Sequence, residues 1–282
     1  MTVMSCPPEL AETLEFMESV SNREYIERRG RSDQDFDGDF MTFPGGGAVY
    51  GGEDCPLSCA VGFGMAAPPR EADLLAIEDF YRRHHMAARI EVTSLSDPSL
   101  FSLLGSRGYR LHHFTHVWIK SLTDDAPVPP PAAVCEVVAA RSPLASAWAQ
   151  VTAAGFKTDG PPNAGDLAFV EGFLEAGKCW GLLASAGPAR AAAAAMAVRD
   201  RIAVLFAAST LPPYRNRGLQ SALIAHRLTM ARDAGCIWAV LHTDPQGTSQ
   251  RNASRMDFFL GYVKATMVQE RGPCCHDDSS RR

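Results

Sequence analysis

The sequence lacks any long hydrophobic run. Of its 282 residues 46% are hydrophobic and 21% are charged, yet no stretch approaches the roughly 20 consecutive apolar residues of a membrane-spanning helix. A basic excess is missing too, because the formal net charge is -5, and a nucleic-acid partner normally requires a basic footprint. This ordinary mixture also excludes wholesale disorder and a fibrous protein. We therefore expect a globular chain that binds neither a membrane nor nucleic acid.

A secretory signal and a paired-cysteine motif are also missing. Residues 1–10 show neither a basic start nor an apolar core, so we expect a cytoplasmic protein. The eight cysteines include no two C-x-x-C motifs, and we expect them to be free thiols. The histidine clusters at 84–85 and 112–116 lack a third carboxylate or cysteine ligand at a recognised spacing, so no metal site is predicted.

Proline marks the clearest boundary along the chain. The length favours two units of about 140 residues each. Residues 123–131 read TDDAPVPPP, and three consecutive prolines fit neither a helix interior nor a central strand. The sequence therefore predicts a domain over 10–122 and a second domain over 132–271, joined by a linker at 123–131.

The two predicted domains share one order of features. An apolar strand, a Pro-Pro pair, a helix, a strand, an Asp-Pro pair and an aromatic strand occur twice. The Pro-Pro pairs are at 68–69 and 212–213, and the Asp-Pro pairs are at 97–98 and 244–245. Such an internal repeat predicts two copies of one architecture. We expect an α/β fold with two mixed, mostly antiparallel sheets flanked by helices.

The positions of glycine and proline define the ends of the predicted helices and strands. The predicted helices cover 71–84, 143–154, 166–175 and 219–234, and the predicted strands of the second half cover 178–185, 191–198, 202–210, 237–243 and 258–268. Gly155 and Gly177 are interpreted as helix ends. Five alanines at 191–195 favour a helix by propensity, but the turns on either side favour a hairpin strand, which we predict. The glycines at 45–47 are interpreted as a hairpin turn because they open no helix.

One segment, TLPPYRNRGLQSAL from Thr210 to Leu223, carries the clearest chemical signal. It joins a buried strand to a helix, and a helix start offers unpaired N–H groups and the positive end of the dipole to an anion. Gly218 lets the backbone approach a ligand without a Cβ. Arg215 and Arg217 can add charge-assisted bonds to phosphate oxygens. The alternative is a solvated arginine loop before an ordinary helix.

This segment resembles the pyrophosphate loop of the GNAT superfamily, the acyl-CoA-dependent N-acyltransferases. The family pattern R/Q-x-x-G-x-G/A corresponds here to Arg215-Asn216-Arg217-Gly218-Leu219-Gln220, with Gln220 where Gly or Ala is usual. The resemblance covers about Val134 to Val268 and implies a GNAT-like sheet in each half. In the first half the loop counterpart has no glycine, and Glu71 and Asp73 would repel a pyrophosphate. We therefore expect one acetyl-CoA site for each chain.

The resemblance also implies which residues contact acetyl-CoA. They are Thr210, Leu211, Arg215, Asn216, Arg217, Gly218, Leu219, Gln220, Ser221 and Asn252, with Ser249 beside them. In the family the central strand splays from its neighbour and admits the pantetheine arm, here along 206–211. Backbone N–H groups near Thr210 and Leu211 would polarise the thioester carbonyl.

The residues that move protons are less clearly marked. Many relatives carry a glutamate on the central strand, and residues 202–210 contain none. Tyr262 is the nearest candidate for the tyrosine that protonates the leaving thiolate in the family. His242, at the end of the 237–243 strand, is a candidate because the unperturbed pKa of a histidine side chain lies near neutrality. Both also fit structural roles, as a strand aromatic and a partly buried histidine.

The implied activity is transfer of an acetyl group from acetyl-CoA to an amine of a small molecule or peptide. A non-catalytic CoA-binding sensor or interaction protein is the alternative, favoured by Gln220 and by the missing glutamate. The sequence specifies neither the acceptor nor the oligomeric state.

Overall fold

The computed structural model describes residues 6–123, 135–157, 160–175 and 178–270. The helices within this part are α1 Pro8–Ser32, α2 Glu71–Arg83, α3 Ser99–Ser106, α4 Ala145–Phe156, α5 Ala164–Leu174, α6 Leu219–Asp233 and α7 Thr248–Arg255. The strands are β1 Asp39–Phe43, β2 Gly46–Tyr50, β3 Ala60–Val61, β4 Arg89–Thr93, β5 Tyr109–Ser121, β6 Cys135–Val138, β7 Cys179–Ala186, β8 Ala189–Arg199, β9 Ile202–Thr210, β10 Trp238–Thr243 and β11 Phe259–Gln269. No helix in the described ranges is long and apolar enough to cross a membrane.

The eleven strands form one sheet, in the order β1-β2-β3-β4-β11-β5-β10-β9-β8-β7-β6. Its recorded pairs are antiparallel except for β3 with β4 and β9 with β10. The α/β class is confirmed, but the prediction of two separate sheets is wrong. The reason is an exchange of strands, because β5 of the first half pairs antiparallel with β10 and β11 of the second half pairs antiparallel with β4.

The chain divides into two compact units that reflect this exchange. The first unit contains Met1–Ala11, Glu27–Gln34 and Thr115–Val263, and the second unit contains Glu12–Ile26, Asp35–Phe114 and Lys264–Arg282. The predicted linker lies outside the described residues except for Thr123. The domain ranges 10–122 and 132–271 therefore stay a prediction.

The alanine-rich segment is a strand of the first unit, as predicted, and it lies between β7 and β9 in the sheet. Strand β8 is buried on both faces, and its alanines alternate between two clusters. Ala193 and Ala195 pack with Trp148 of α4, whereas Ala192 and Ala194 pack in the cluster of Leu223 of α6. Methyl side chains let both helices lie close to the strand, and burial on both faces overrides the helix propensity of alanine.

The second unit has its own core. Leu74, Ile77 and Phe80 of α2 pack with Ile90 and Val92 of β4, on the buried stripe expected of an amphipathic helix. The predicted glycine turn is confirmed, since β1 and β2 form an antiparallel hairpin. Gly45 lies in its turn with a φ of 82°, a conformation that favours glycine.

A buried lysine surrounded by carboxylates lies in the second unit. The side chain of Lys264 on β11 is 1% exposed. Its Nζ lies 3.2 Å from Glu15 Oε2 and 2.9 Å from Glu18 Oε2, and it also pairs with Glu91. These three carboxylates have the spacing of a metal site, but their centre is already taken by the Lys264 ammonium.

The described cysteines are free thiols, as predicted, and Cys274 and Cys275 lie outside the described residues. Of the six described cysteines, Cys6, Cys59, Cys179 and Cys236 are buried. Burial raises the pKa of Cys6 to about 11 and the pKa of Cys179 to about 12. Because the thiolate is the reactive form, these thiols are structural rather than nucleophilic.

Some predicted boundaries are wrong for identifiable reasons. Helix α4 runs through Gly155 to Phe156, so Gly155 does not end it, and Gly177 lies outside the described residues. Each Asp-Pro pair precedes a short helix, α3 or α7, that the sequence did not predict. Asp97 precedes α3, and its Oδ1 accepts from the Ser99 N–H at 2.9 Å.

Candidate functional site

The site begins where two parallel strands of the first unit separate. The register of β9 and β10 runs from Ile202 opposite Trp238 to Leu205 opposite Leu241 and ends there. Both strands continue beyond this point, β9 to Thr210 and β10 to Thr243. The backbone groups facing the gap are therefore available to a ligand. A cavity of about 340 Å³ lies between the separated segments.

A bulge on the other side of β9 accompanies this separation. Ala193 of β8 lies opposite Ser209, and Ala195 lies opposite Phe206. Strand β9 therefore contains one extra residue relative to β8 between these two pairs. Ala207 sits inside the bulge with a φ of 48°, which is unfavourable for a residue with a Cβ. Bulges bend a strand and re-aim its side chains next to active sites. The bulge thus bends β9 at the point where β10 leaves it.

A second cavity, of about 550 Å³, lies at the start of α6. It is lined by Thr210, Arg215, Asn216, Arg217, Gly218, Leu219, Gln220, Ser221 and Asn252, which are all of the predicted acetyl-CoA contacts except Leu211. Gly218 is the N-cap of α6, with a φ of 76° and no side-chain cap. A Cβ at Gly218 would meet nothing within 4 Å, so glycine is required here for its conformation. The first turn of α6 faces this cavity and suits an anion.

The two predicted arginines contact other groups of the protein around the loop between β9 and α6, in addition to giving this loop its positive charge. Arg215 donates from Nε to Thr210 O at 3.2 Å and from Nη2 to Gly155 O at 3.3 Å. The Arg217 guanidinium lies 5.3 Å from the ring centre of Tyr214, a cation–π contact. Arg255, at the end of α7, is a third arginine that lines the cavity.

Gln220 fastens the first turn of α6 to the end of β9. Its Nε2 donates to Ser209 O at 2.6 Å and to Thr210 Oγ1 at 2.9 Å. A glycine or alanine at this position would make neither bond. Gln220 lines both cavities, and its side chain is therefore part of the passage between them.

The expected oxyanion donors are not equivalent. Leu211 N–H already donates to Ala191 O of β8 at 2.9 Å, so this donor is engaged within the sheet, and its role towards the thioester stays a prediction. Because successive N–H groups of a strand alternate in direction, the N–H of Thr210 points away from β8. Thr210 is the remaining donor of the predicted pair.

Gly155 allows α4 to cross the end of β9 closely. A Cβ at this position would lie 2.5 Å from Ser209 Oγ and 3.1 Å from Thr210 N. Changing Gly155 to Ala is expected to lower the free energy of unfolding by about 1–3 kcal/mol through overpacking, measured by urea denaturation. The control is Gly105 to Ala in α3, where a Cβ meets nothing within 4 Å, and it should stabilise by about 0.4–1 kcal/mol. Equal effects of the two changes would contradict the close approach.

The predicted proton-transfer residues lie in different surroundings. His242 is exposed at the end of β10 and lines the cavity between the separated strands, as does Asp244. Tyr262 on β11 is 3% exposed and is absent from the described linings of both cavities. Its role as an acid stays a prediction, as does the role of His242 as a base.

Sequence reasoning missed several residues that line the cavities. Gly155, Phe156, Tyr214, Arg227, Asp244, Thr248 and Arg255 all do so. Asp244 was noted only as part of the repeat, although a carboxylate directly after a predicted strand is a recognisable signal. Tyr214 lies in the loop before α6. The others come from α4, α6 and α7, whose placement beside β9 depends on tertiary packing.

Solved structures of acetyltransferases share this fold. A GCN5-related N-acetyltransferase from Kribbella flavida aligns with a TM-score of 0.61 at 17% identity, over 90% of this chain and 97% of its own. A tandem GNAT protein from the clavulanic acid biosynthesis pathway aligns at 0.56 and 12%, over 72% and 70%. A GCN5-related N-acetyltransferase from Sphaerobacter thermophilus aligns at 0.52 and 14%, over 68% and 64%. No protein-family profile and no curated protein matches the chain in sequence. The likeness establishes a GNAT-like fold.

Proposed function

We propose that this chain is an acyl-CoA-dependent N-acyltransferase, which moves an acetyl group from acetyl-CoA to an amine of a small molecule or peptide. The observation that carries the proposal is the meeting of two cavities. The anion-binding first turn of α6 and the gap between β9 and β10 share the lining residues Phe156, Ala208, Gln220, Ser249 and Asn252. One ligand with a phosphate end and a narrow polar arm fits both.

The chemistry of the lining suits each part of acetyl-CoA. The free N–H groups of the α6 first turn, together with Arg217 and Arg255, would hold the phosphates. The separated edge of β9 would pair with the amide groups of the arm, which would lead the thioester into the gap between β9 and β10, beside His242 and Asp244. When bound, acetyl-CoA supplies the activated acyl group.

The acceptor amine must lose a proton, because an alkyl ammonium has a pKa near ~10. His242 of β10 and Asp244, which follows β10, line the cavity between the separated segments of β9 and β10, which we call the reaction cavity. We assign these two ionisable side chains to accept the proton. General-base assistance of this kind contributes about 10²–10⁴-fold to a rate.

A non-catalytic CoA-binding protein is the second candidate. It is favoured by β9, whose nine residues carry no ionisable side chain. It differs from the enzyme in turnover but not in CoA binding.

The function is tested by the stability that CoA confers. Acetyl-CoA at about 100 times its Kd should add about 2.7 kcal/mol to the unfolding free energy of the wild type. Changing Arg217 and Arg255 together to Ala should remove most of this gain, because both line the anion cavity. The control is Arg190 to Ala, whose side chain pairs with Glu136 on the exposed surface and should keep the full gain.

Two results distinguish the candidates. Release of free CoA thiol from acetyl-CoA in the presence of an amine panel supports the enzyme, whereas binding without release supports the non-catalytic protein. A wild type that gains no stability from acetyl-CoA contradicts both.

A further inference from the structure

A buried arginine lies at the bend of β9. Arg227 of α6 is 1% exposed. Its Nε donates to Leu223 O at 3.1 Å, its Nη1 donates to Ala195 O at 2.9 Å, and the same Nη1 lies 3.5 Å from Phe206 O. The guanidinium is thereby fixed beside the bulge, where β9 and β10 stop pairing.

The charge of Arg227 has no negative partner in the described part of the chain. No carboxylate within residues 6–123, 135–157, 160–175 and 178–270 forms an ion pair with it, and its Nη2 donates to no acceptor in these ranges. Burial lowers the pKa of Arg227 to about 9, which still leaves the group charged at neutral pH. Buried charges in proteins are normally paired.

The arginine also borders the reaction cavity. Arg227 lines it together with Leu205, Ile224 and Leu241, and Leu205 and Leu241 are the last paired residues of the two strands. Arg227 is eight residues beyond the start of α6, which corresponds to about 12 Å along a helix. A ligand that enters over the first turn of α6 and follows the gap reaches Arg227 with its far end.

We propose that Arg227 binds a carboxylate at the far end of the acyl group, so that the chain selects acyl-CoA donors with a terminal carboxylate. This inference rests on the proposed function and extends its donor from acetyl-CoA to thioesters of dicarboxylic acids. The Nε and Nη1 of Arg227 already donate to Leu223 O and Ala195 O, so Nη2 is the guanidinium nitrogen left to donate to a carboxylate oxygen in a charge-assisted bond. The apolar neighbours strengthen the attraction by excluding water.

Isothermal titration of the full chain with malonyl-CoA, isovaleryl-CoA and CoA tests the inference. Isovaleryl-CoA carries an isopropyl group where malonyl-CoA carries its carboxylate. The wild type should bind malonyl-CoA at least tenfold more tightly than isovaleryl-CoA, which corresponds to about 1.4 kcal/mol of binding free energy. In Arg227→Gln the ratio of the two dissociation constants, isovaleryl-CoA to malonyl-CoA, should fall to about one, because an amide keeps a donor without the charge. Arg227→Lys should retain part of the preference for malonyl-CoA.

The matched control is Arg232→Gln, which removes the same charge from the last turn of α6, away from the cavity lining. Its preference for malonyl-CoA should equal that of the wild type, with folding checked by circular dichroism. If the wild type binds CoA but has equal affinities for malonyl-CoA and isovaleryl-CoA, this inference is overturned and the proposed function still stands. An unchanged preference in folded Arg227→Gln overturns it as well. A wild type that binds no CoA overturns both.

Discussion

Replacement of Lys264 by methionine is expected to lower the free energy of unfolding by about 3–5 kcal/mol, the cost of removing one partner from a buried ion pair. Lys264 is the cation among Glu15, Glu18 and Glu91, and the side chain of Glu15 is 0% exposed. Methionine fills a similar volume, so the loss reports mainly the uncompensated carboxylates. Urea denaturation measures it.

The matched control for this substitution is Arg110→Met in β5. Arg110 pairs with Glu270, but their side chains are 73% and 56% exposed, and an exposed pair contributes about 0–1 kcal/mol. Adding Glu91→Gln to Lys264→Met should restore part of the stability, because it removes one of the unpaired charges. Equal losses at Lys264 and Arg110 would contradict the account of a buried charge cluster.

Truncation of Trp148 to alanine is expected to lower the free energy of unfolding by about 3–5 kcal/mol. The indole is fully buried, and its Nε1 donates to Ala194 O at 2.8 Å. It also packs on Gly181 of β7, where a Cβ would lie 2.8 Å from that nitrogen. The substitution leaves a cavity between α4 and the sheet, which chemical denaturation with intrinsic fluorescence detects.

The control is Phe156→Ala, at the end of the same helix. Phe156 is 59% exposed, and a surface substitution of this kind changes stability by about 0.5 kcal/mol or less. A loss at Trp148 no larger than that at Phe156 would refute the assignment of Trp148 to the centre of this core.

Local signals predicted the part of the fold that carries the site. Strand β9 has the predicted bounds, and α6 begins at the predicted Leu219, because a continuous apolar run and a Pro-Pro…Gly loop both act within a few residues. Most of the residues that line the cavity at the start of α6 lie in or beside the same segment, and its binding of an anion stays a prediction. Strand β8 required a choice between propensity and turn signals, and the turns decided it correctly.

Long-range pairing could not be predicted in the same way. The exchange of β5 and β11 depends on partners more than a hundred residues away, and no local pattern encodes such a choice. Helix α1 was missed because its charged residues are spread over the helix surface and hide its period. Arg227 resembles any helix arginine in the sequence, and only packing against β8 and β9 identifies it as buried.

Strand β8 also limits how this sequence can diverge. At 192–195, methyl groups touch helices on both faces of the sheet, so a larger side chain acts as a wedge on whichever face it enters. Drift at these four positions is restricted to residues about the size of alanine. This run of alanines is thus among the least replaceable parts of the chain, because its small side chains set the distance of α4 and α6 from the sheet.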